Sequence, residues 1–141
     1  MPVVLDTDVA IHLRDGDPDV RERLDRLGKA PVVSAVTVAE LHGGVAADGS
    51  TGAVRSRLLD ELLRFVPVLP FTADEARAYG EIVRAGRHDR RRVLDRMIAA
   101  QAIAAGLRLV TMNGRDFRDI AGLELEIWPA PTPRPPSSAP R

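Results

Sequence analysis

The chain has 141 residues, the size of one domain, and 45% of them are hydrophobic, which is typical of a globular fold. It contains no cysteine, so disulfides, thiolate metal sites and a cysteine nucleophile are excluded. The formal net charge is zero, whereas many nucleic-acid-binding domains are basic, so such a function would depend on where the charges lie. With no long apolar run and no signal-peptide pattern, we expect a cytoplasmic protein without a membrane span.

The chain opens on a short apolar strand, Val3–Leu5, that runs directly into Asp6 and Asp8. A carboxylate at the edge of a core is costly unless a cation meets it. We therefore expect the rest of the chain, or a bound cation, to balance the negative charge of these two acids.

Strands and helices alternate along the rest of the sequence. Helices are predicted from Pro18 to Gly28, from about Val36 to Ala47, from Val54 to Phe65, from Thr72 to Gly86 and from Val93 to Ala105. Further strands are predicted over Pro31–Ser34, Leu107–Thr111 and Leu123–Trp128, and Val66–Phe71 is an edge strand or an extended link. This alternation predicts an α/β fold with a mainly parallel sheet.

The last thirteen residues differ in composition from the rest. Residues 129–141 are rich in proline and serine and have no apolar periodicity, so we expect a disordered tail. The folded domain is then predicted to span residues 1–128.

Acidic and amide side chains follow two of the predicted strands. Asp6 and Asp8 come after the first strand, and Asn113 and Asp116 come after Leu107–Thr111. Ligands gather at the carboxyl ends of parallel strands, so these groups are expected at one edge of the sheet.

Two helices supply further carboxylates. Asp95 shares its helical face with apolar residues three, four and seven positions later, so it points inward or at the rim of a site. Glu40 is followed three and four positions later by Gly43 and Gly44, which leave bare backbone on the helical face of Glu40. Clustered carboxylates with three histidines and no cysteine favour Mg²⁺, or Mn²⁺, over zinc. An acid-held Mg²⁺ typically acts on phosphate.

Four separated segments resemble one known family. They read VVLDTDVAIHL, VTVAELHGGV, LDRMIAAQAIAAGLRLVTMN and RDFRDIAGLELEIW. Their order and spacing resemble those of PIN-domain ribonucleases, above all the VapC-type toxins of bacterial toxin–antitoxin pairs, over about residues 2 to 128.

The resemblance implies a PIN-like three-layer α/β/α fold with four to five strands. It assigns the acidic site as Asp6, Glu40, Asp95 and Asp116, with Thr111 and Asn113 beside the last. The position of Asp8 is commonly Asn or Ser in such toxins, so Asp8 either joins the metal shell or points away. The family also implies Mg²⁺-dependent RNA hydrolysis, a homodimer and a cognate VapB-type antitoxin, which we expect on the helices Val36–Ala47 and Val54–Phe65.

The densest basic stretch precedes and enters the helix of Asp95. It comprises Arg87, Arg90, Arg91, Arg92 and Arg96. These arginines either hold the RNA backbone, since guanidinium matches phosphate geometry, or form a solvated face.

Two other functions fit parts of the sequence. The opening motif also resembles that of haloacid-dehalogenase-type phosphatases, in which Asp6 would be the nucleophile. Those enzymes use a lysine late in the chain, whereas the single lysine here is Lys29, and Ala10 stands where their motif has Thr or Val. The other alternative is a non-catalytic protein-binding module on a PIN fold.

Overall fold

The computed structural model describes residues 1–86 and 88–132, and within them five strands form one parallel sheet in the order β3-β2-β1-β4-β5. The strands are β1 (Val3–Leu5), β2 (Pro31–Ser34), β3 (Val68–Leu69), β4 (Arg108–Thr111) and β5 (Leu125–Ile127). The helices are α1 (Thr7–Arg14), α2 (Pro18–Leu27), α3 (Ala35–Ala47), α4 (Gly52–Phe65), α5 (Ala73–Ala85) and α6 (Val93–Ala105). The predicted α/β class and parallel sheet are confirmed.

Each face of the sheet has its own apolar core. Successive side chains of a strand point to opposite faces, so Val3 and Leu5 join one core and Val4 joins the other. The first core lies under α1, α2 and α4, and the second under α5 and α6. Helices on both faces are what a wholly buried parallel strand requires, and they confirm the three-layer α/β/α architecture.

The edge of the sheet at β3 is held by a buried side chain of α6. Gln101 donates through Nε2 to the carbonyls of Leu69 and Pro70, both at 3.0 Å. The segment with Pro67 and Pro70 is thus an edge strand of two residues, as its prolines predicted.

The C-terminal part of the domain closes on the opposite edge. Trp128 is buried, and its backbone N–H donates to the carbonyl of Thr111 at 2.8 Å. Pro129–Thr132 is irregular and lines a cavity of about 190 Å³ beside α2. The rest of the predicted tail, residues 133–141, lies outside the described residues.

One local feature differs from the sequence analysis. Helix α1 begins directly after β1, where no element had been predicted. On α4, Val54 and Phe65 are 59% and 78% exposed, while Leu59 and Leu62 face the core. No helix in the described part of the chain is long and apolar enough to cross a membrane.

Candidate active site

Asp6 lies where the central strand ends and α1 begins. As the N-cap of α1 it accepts the Thr7 backbone N–H on Oδ1 at 2.9 Å. The adjacent strand β4 ends at Thr111, whose hydroxyl donates to Asp6 Oδ2 at 2.7 Å. Burial, followed by the charge of Asp8, raises the pKa of Asp6 to about 7. The neutral donors that meet this carboxylate do not remove the cost of its burial.

Asp8 joins α1 to the end of β4. Its Oδ1 accepts the Val9 backbone N–H at 2.7 Å and its Oδ2 accepts that of Met112 at 3.2 Å. Burial raises the pKa of Asp8 as well. Both carboxylate oxygens of Asp8 therefore face backbone donors, while the negative charge of Asp8 raises the pKa of Asp6.

A pair of threonines connects α1 with α3. The Thr7 hydroxyl donates to Glu40 Oε1 at 2.8 Å, and the Thr37 hydroxyl lies 3.0 Å from the Thr7 hydroxyl. A hydroxyl has one proton, so Thr37 donates to Thr7 and Thr7 donates to Glu40. The sequence analysis gave neither threonine a role, although Thr37 lies three residues before Glu40 and so shares its helical face.

Asp95 lies in the first turn of α6, where the helix dipole favours a negative charge. Burial is nevertheless the larger effect and, with the charges of Asp116 and Glu40, raises the pKa of Asp95 to about 6. Arg92 opposes this rise. Asp95 thus lies near the other acids, on the helical face that the apolar spacing predicted to point inward or at the rim of a site.

Asp116 ends a short turn, Gly114–Asp116, that follows β4. The side-chain amide of Asn113 donates to Asp116, and Arg92 Nε lies 3.7 Å from its Oδ1. A side chain at Gly114 would place its Cβ 2.2 Å from Ile127 Cδ1, so glycine lets this turn lie against β5. The turn thereby holds Asp116 beside the carboxyl end of the sheet.

The acids influence one another electrostatically, but they are not arranged as a set of metal ligands. Across residues 1–86 and 88–132, no three His, Asp or Glu side chains stand close enough to hold a metal ion as they are placed. Yet Asp95 raises the pKa of Asp6, and Asp116 and Glu40 raise that of Asp95. Desolvated oxygen donors of this kind are the chemistry that a hard divalent cation fits.

The predicted basic stretch divides into several environments. Arg90 and Arg91 are exposed, and Arg92 lies with Asp116 in a cleft of about 370 Å³. Arg96 is different: its side chain is 4% exposed and its Nη2 donates to Asp119 Oδ2 at 3.0 Å. The prediction that Arg96 contacts RNA is therefore withdrawn, because helix α6 turns it into the core. Arg87 lies outside the described residues.

Known proteins resemble this chain over most of its length. Ribonuclease VapC2 of Rickettsia felis is 31% identical, and the match covers 91% of this chain and 98% of that protein. The tRNA(fMet)-specific endonuclease VapC of Shigella flexneri is 33% identical, with coverages of 89% and 96%.

Solved structures resemble the fold. The VapBC2 structure from Rickettsia felis, bound to a DNA fragment from the promoter, contains a chain with a TM-score of 0.78 and 27% identity, which covers 91% of this chain and 99% of that one. A VapBC-5 toxin–antitoxin structure from Mycobacterium tuberculosis gives a TM-score of 0.65 and 30% identity, with coverages of 92% and 98%. The PIN domain family matches residues 3–123. The chain therefore belongs to the PIN-domain family and, within it, to the VapC ribonucleases.

Proposed function

We propose that this protein is the toxin of a type II toxin–antitoxin pair, a metal-dependent ribonuclease that hydrolyses RNA phosphodiester bonds in the cytoplasm. The observation that carries the proposal is the group of desolvated carboxylates at the carboxyl edge of the sheet. Burial, together with the negative charge of neighbouring acids, raises the pKa of two of them, Asp6 and Asp95. Membership of the VapC ribonucleases favours this reaction over the phosphatase alternative.

Mg²⁺, or Mn²⁺, is the proposed cofactor. Asp6, Asp95 and Asp116 would hold it with Glu40 close by, and Asp8, Thr111 and Asn113 are the weaker candidates. When bound, the cation supplies Lewis acidity that activates water and neutralises charge on the phosphate. The oxygen-rich donor set fits that cation, since it contains neither cysteine nor histidine.

The surrounding residues hold the acids in place, and one of them favours the ionised form of Asp6. The Thr111 hydroxyl stabilises the Asp6 carboxylate, since a donor to the charged form lowers its pKa. The Thr7 hydroxyl fixes one oxygen of Glu40, and the amide of Asn113 does the same for Asp116. This chain contributes no nucleophile of its own in the proposal. Its task is to position ligands and RNA around an attacking water.

RNA is proposed to reach the acids past the exposed basic turn. Arg90, Arg91 and Arg92 form this turn directly before α6, and guanidinium groups bind phosphate in a bidentate manner. The Shigella flexneri relative is named for cleavage of tRNA(fMet), which makes this tRNA the first substrate to test.

The proposed partner is a small VapB-type antitoxin. The similar structures are of VapBC assemblies, and the one from Mycobacterium tuberculosis is a member of the VapBC family of toxin–antitoxin systems. On this chain, the exposed Val54 and Phe65 of α4 leave apolar surface open. Phe65 also lines a groove of about 410 Å³, between α4 and the helices α1 and α2, in which a partner helix could bury apolar residues. The homodimer that the family implies stays a prediction.

The decisive experiment is RNA cleavage by purified variants. We expect Asp6→Asn and Asp95→Asn to lose cleavage of tRNA(fMet) and total RNA at least a hundredfold while retaining the native far-UV circular dichroism. Asp74→Asn, which removes a carboxylate 84% exposed on α5, is the matched control and should cleave normally. Cleavage should stop in EDTA and return with Mg²⁺ or Mn²⁺.

Two outcomes would contradict the proposal. Cleavage by Asp6→Asn at the wild-type rate would show that the acids do not form the site. A wild-type protein that binds antitoxin but never cleaves RNA would instead be the non-catalytic module.

A further inference from the structure

Arg92 is a cationic side chain that lies beside the acidic group. It ends the turn Arg90–Arg92 and serves as the N-cap residue of α6, three positions before Asp95. Its Nε lies 3.6 Å from Asp89 Oδ2 and 3.7 Å from Asp116 Oδ1. Its side chain is 31% exposed, so it reaches both the acids and the solvent.

The neighbouring arginines are placed differently. Arg96 is buried against Asp119, and Arg90 and Arg91 are exposed. Arg92 alone among these described arginines is both ion-paired with a proposed metal ligand and open to the cleft that Asp89, Arg91 and Asp116 also line. The cleft has a volume of about 370 Å³, enough for a phosphate group to enter.

We propose that Arg92 is an exchangeable counter-ion: it neutralises Asp116 in the metal-free protein and transfers to an RNA phosphate when a divalent cation binds. This inference rests on the proposed function. The ion pairs of Arg92 are suited to exchange, because both exceed hydrogen-bond length and are partly solvated, and such pairs contribute little stability. A divalent cation that binds the carboxylates directly competes for the same negative charge.

The proposal predicts opposite effects on metal and RNA when Arg92 is made neutral. In Arg92→Gln, Mg²⁺ and Mn²⁺ should bind roughly three- to tenfold more tightly, because the competing charge is gone. The KM for RNA in Mg²⁺ should rise about tenfold, and the slope of log KM against log salt should fall by about 0.7, the value for one single-strand phosphate contact. Arg92→Lys, which keeps the charge but not the planar fork, should show near-wild-type metal affinity and an intermediate KM.

The test measures metal affinity by calorimetry without RNA, and RNA affinity by fluorescence anisotropy in EDTA, where no cleavage occurs. We expect Arg92→Gln and wild type to bind RNA in EDTA within twofold of each other, since Arg92 is then engaged with the acids. Arg26→Gln removes one charge from an exposed ion pair with Glu22 on α2 and should leave metal affinity unchanged. Thermal unfolding checks that all variants fold alike.

Each outcome separates the inference from the function on which it rests. Unchanged metal affinity in Arg92→Gln, with a wild-type enzyme that cleaves RNA, would overturn the counter-ion role and leave the ribonuclease in place. RNA binding weakened equally in EDTA and in Mg²⁺ would show a permanent phosphate contact and would overturn the exchange. A wild-type protein that neither binds a divalent ion nor cleaves RNA would remove the proposed function itself.

Discussion

Neutralising Asp6 should stabilise the metal-free protein while it removes activity. The structure shows why Asp6→Asn can fold: an asparagine Oδ1 can still accept the Thr7 N–H as the cap of α1. Its Nδ2 would donate to the Thr111 hydroxyl, which would no longer donate to residue 6. The substitution therefore removes one buried charge at nearly constant shape.

The size of the effect follows from the pKa of Asp6. One pKa unit is worth about 1.4 kcal/mol, so the rise from 3.8 to about 7 sets an upper limit of about 4 kcal/mol on the cost of ionised Asp6 in the fold. The rearranged hydrogen bond to Thr111 offsets about 1 kcal/mol of the gain. We expect Asp6→Asn to be about 1–3 kcal/mol more stable than wild type at pH 8 in EDTA.

The sign of the pH dependence distinguishes this explanation from a general packing effect. A carboxyl with a raised folded-state pKa contributes stability below pH 3.8, and this contribution is lost as the pH rises through about 7. The advantage of Asp6→Asn should therefore grow from pH 4 to pH 7 and stay level above it.

Urea unfolding at pH 4, 5, 6, 7 and 8 in EDTA measures this difference directly. Excess Mg²⁺ at pH 8 should then stabilise wild type more than Asp6→Asn, because a ligand that binds the folded state raises its stability by mass action. A variant that is less stable than wild type at pH 8, or whose advantage does not change with pH, would refute the reasoning.

Three further predictions test the hydroxyl beside Asp6, a buried ion pair and the C-terminal segment. Thr111→Val should raise the pKa of Asp6 further and weaken Mg²⁺ binding at pH 7, whereas Thr111→Ser, which keeps the hydroxyl, should restore it; calorimetry measures both. Asp119→Ala should destabilise the fold by about 1–3 kcal/mol in urea unfolding, because it leaves the buried Arg96 guanidinium unpaired, and the same change in an Arg96→Met background should cost much less. A chain ending at Trp128 should keep its melting temperature and RNA cleavage, and a loss of several degrees would show that the following segment stabilises the domain.

The sheet was predictable because its signals are local. Short apolar runs separated by capped helices define four of the five strands, and the prolines around Val68–Leu69 mark the edge. Helix α1 escaped prediction because a single residue, its N-cap Asp6, separates the end of β1 at Leu5 from the first helical residue, Thr7.

The residue types gathered at the candidate site could be predicted, and their contacts less so; that these acids hold a metal ion stays a prediction. The spacing on α6 placed Asp95 inward, and the strand ends placed Asp6 beside the residues after β4. The hydroxyl contacts of Thr7 with Glu40, and of Thr111 with Asp6, join residues 33 and 105 positions apart, and no local pattern indicates them. Arg96 was misassigned because it belongs to a dense run of arginines, although the turn of the helix buries it.

Because burying these carboxylates is costly, the same site can in principle bind three kinds of cation. Burial raises the pKa of Asp6 and Asp95, and the nearby acids raise it further, so the ionised site gains whenever positive charge arrives. A divalent metal ion would bring the charge that the proposed hydrolysis needs, and Arg92 of the same chain, ion-paired with Asp116, would be a weaker substitute for it. An arginine or lysine from a partner protein would satisfy the same carboxylates while excluding the metal. The same buried negative charge would therefore both hold the metal ion for the proposed catalysis and give an inhibitor its point of attachment.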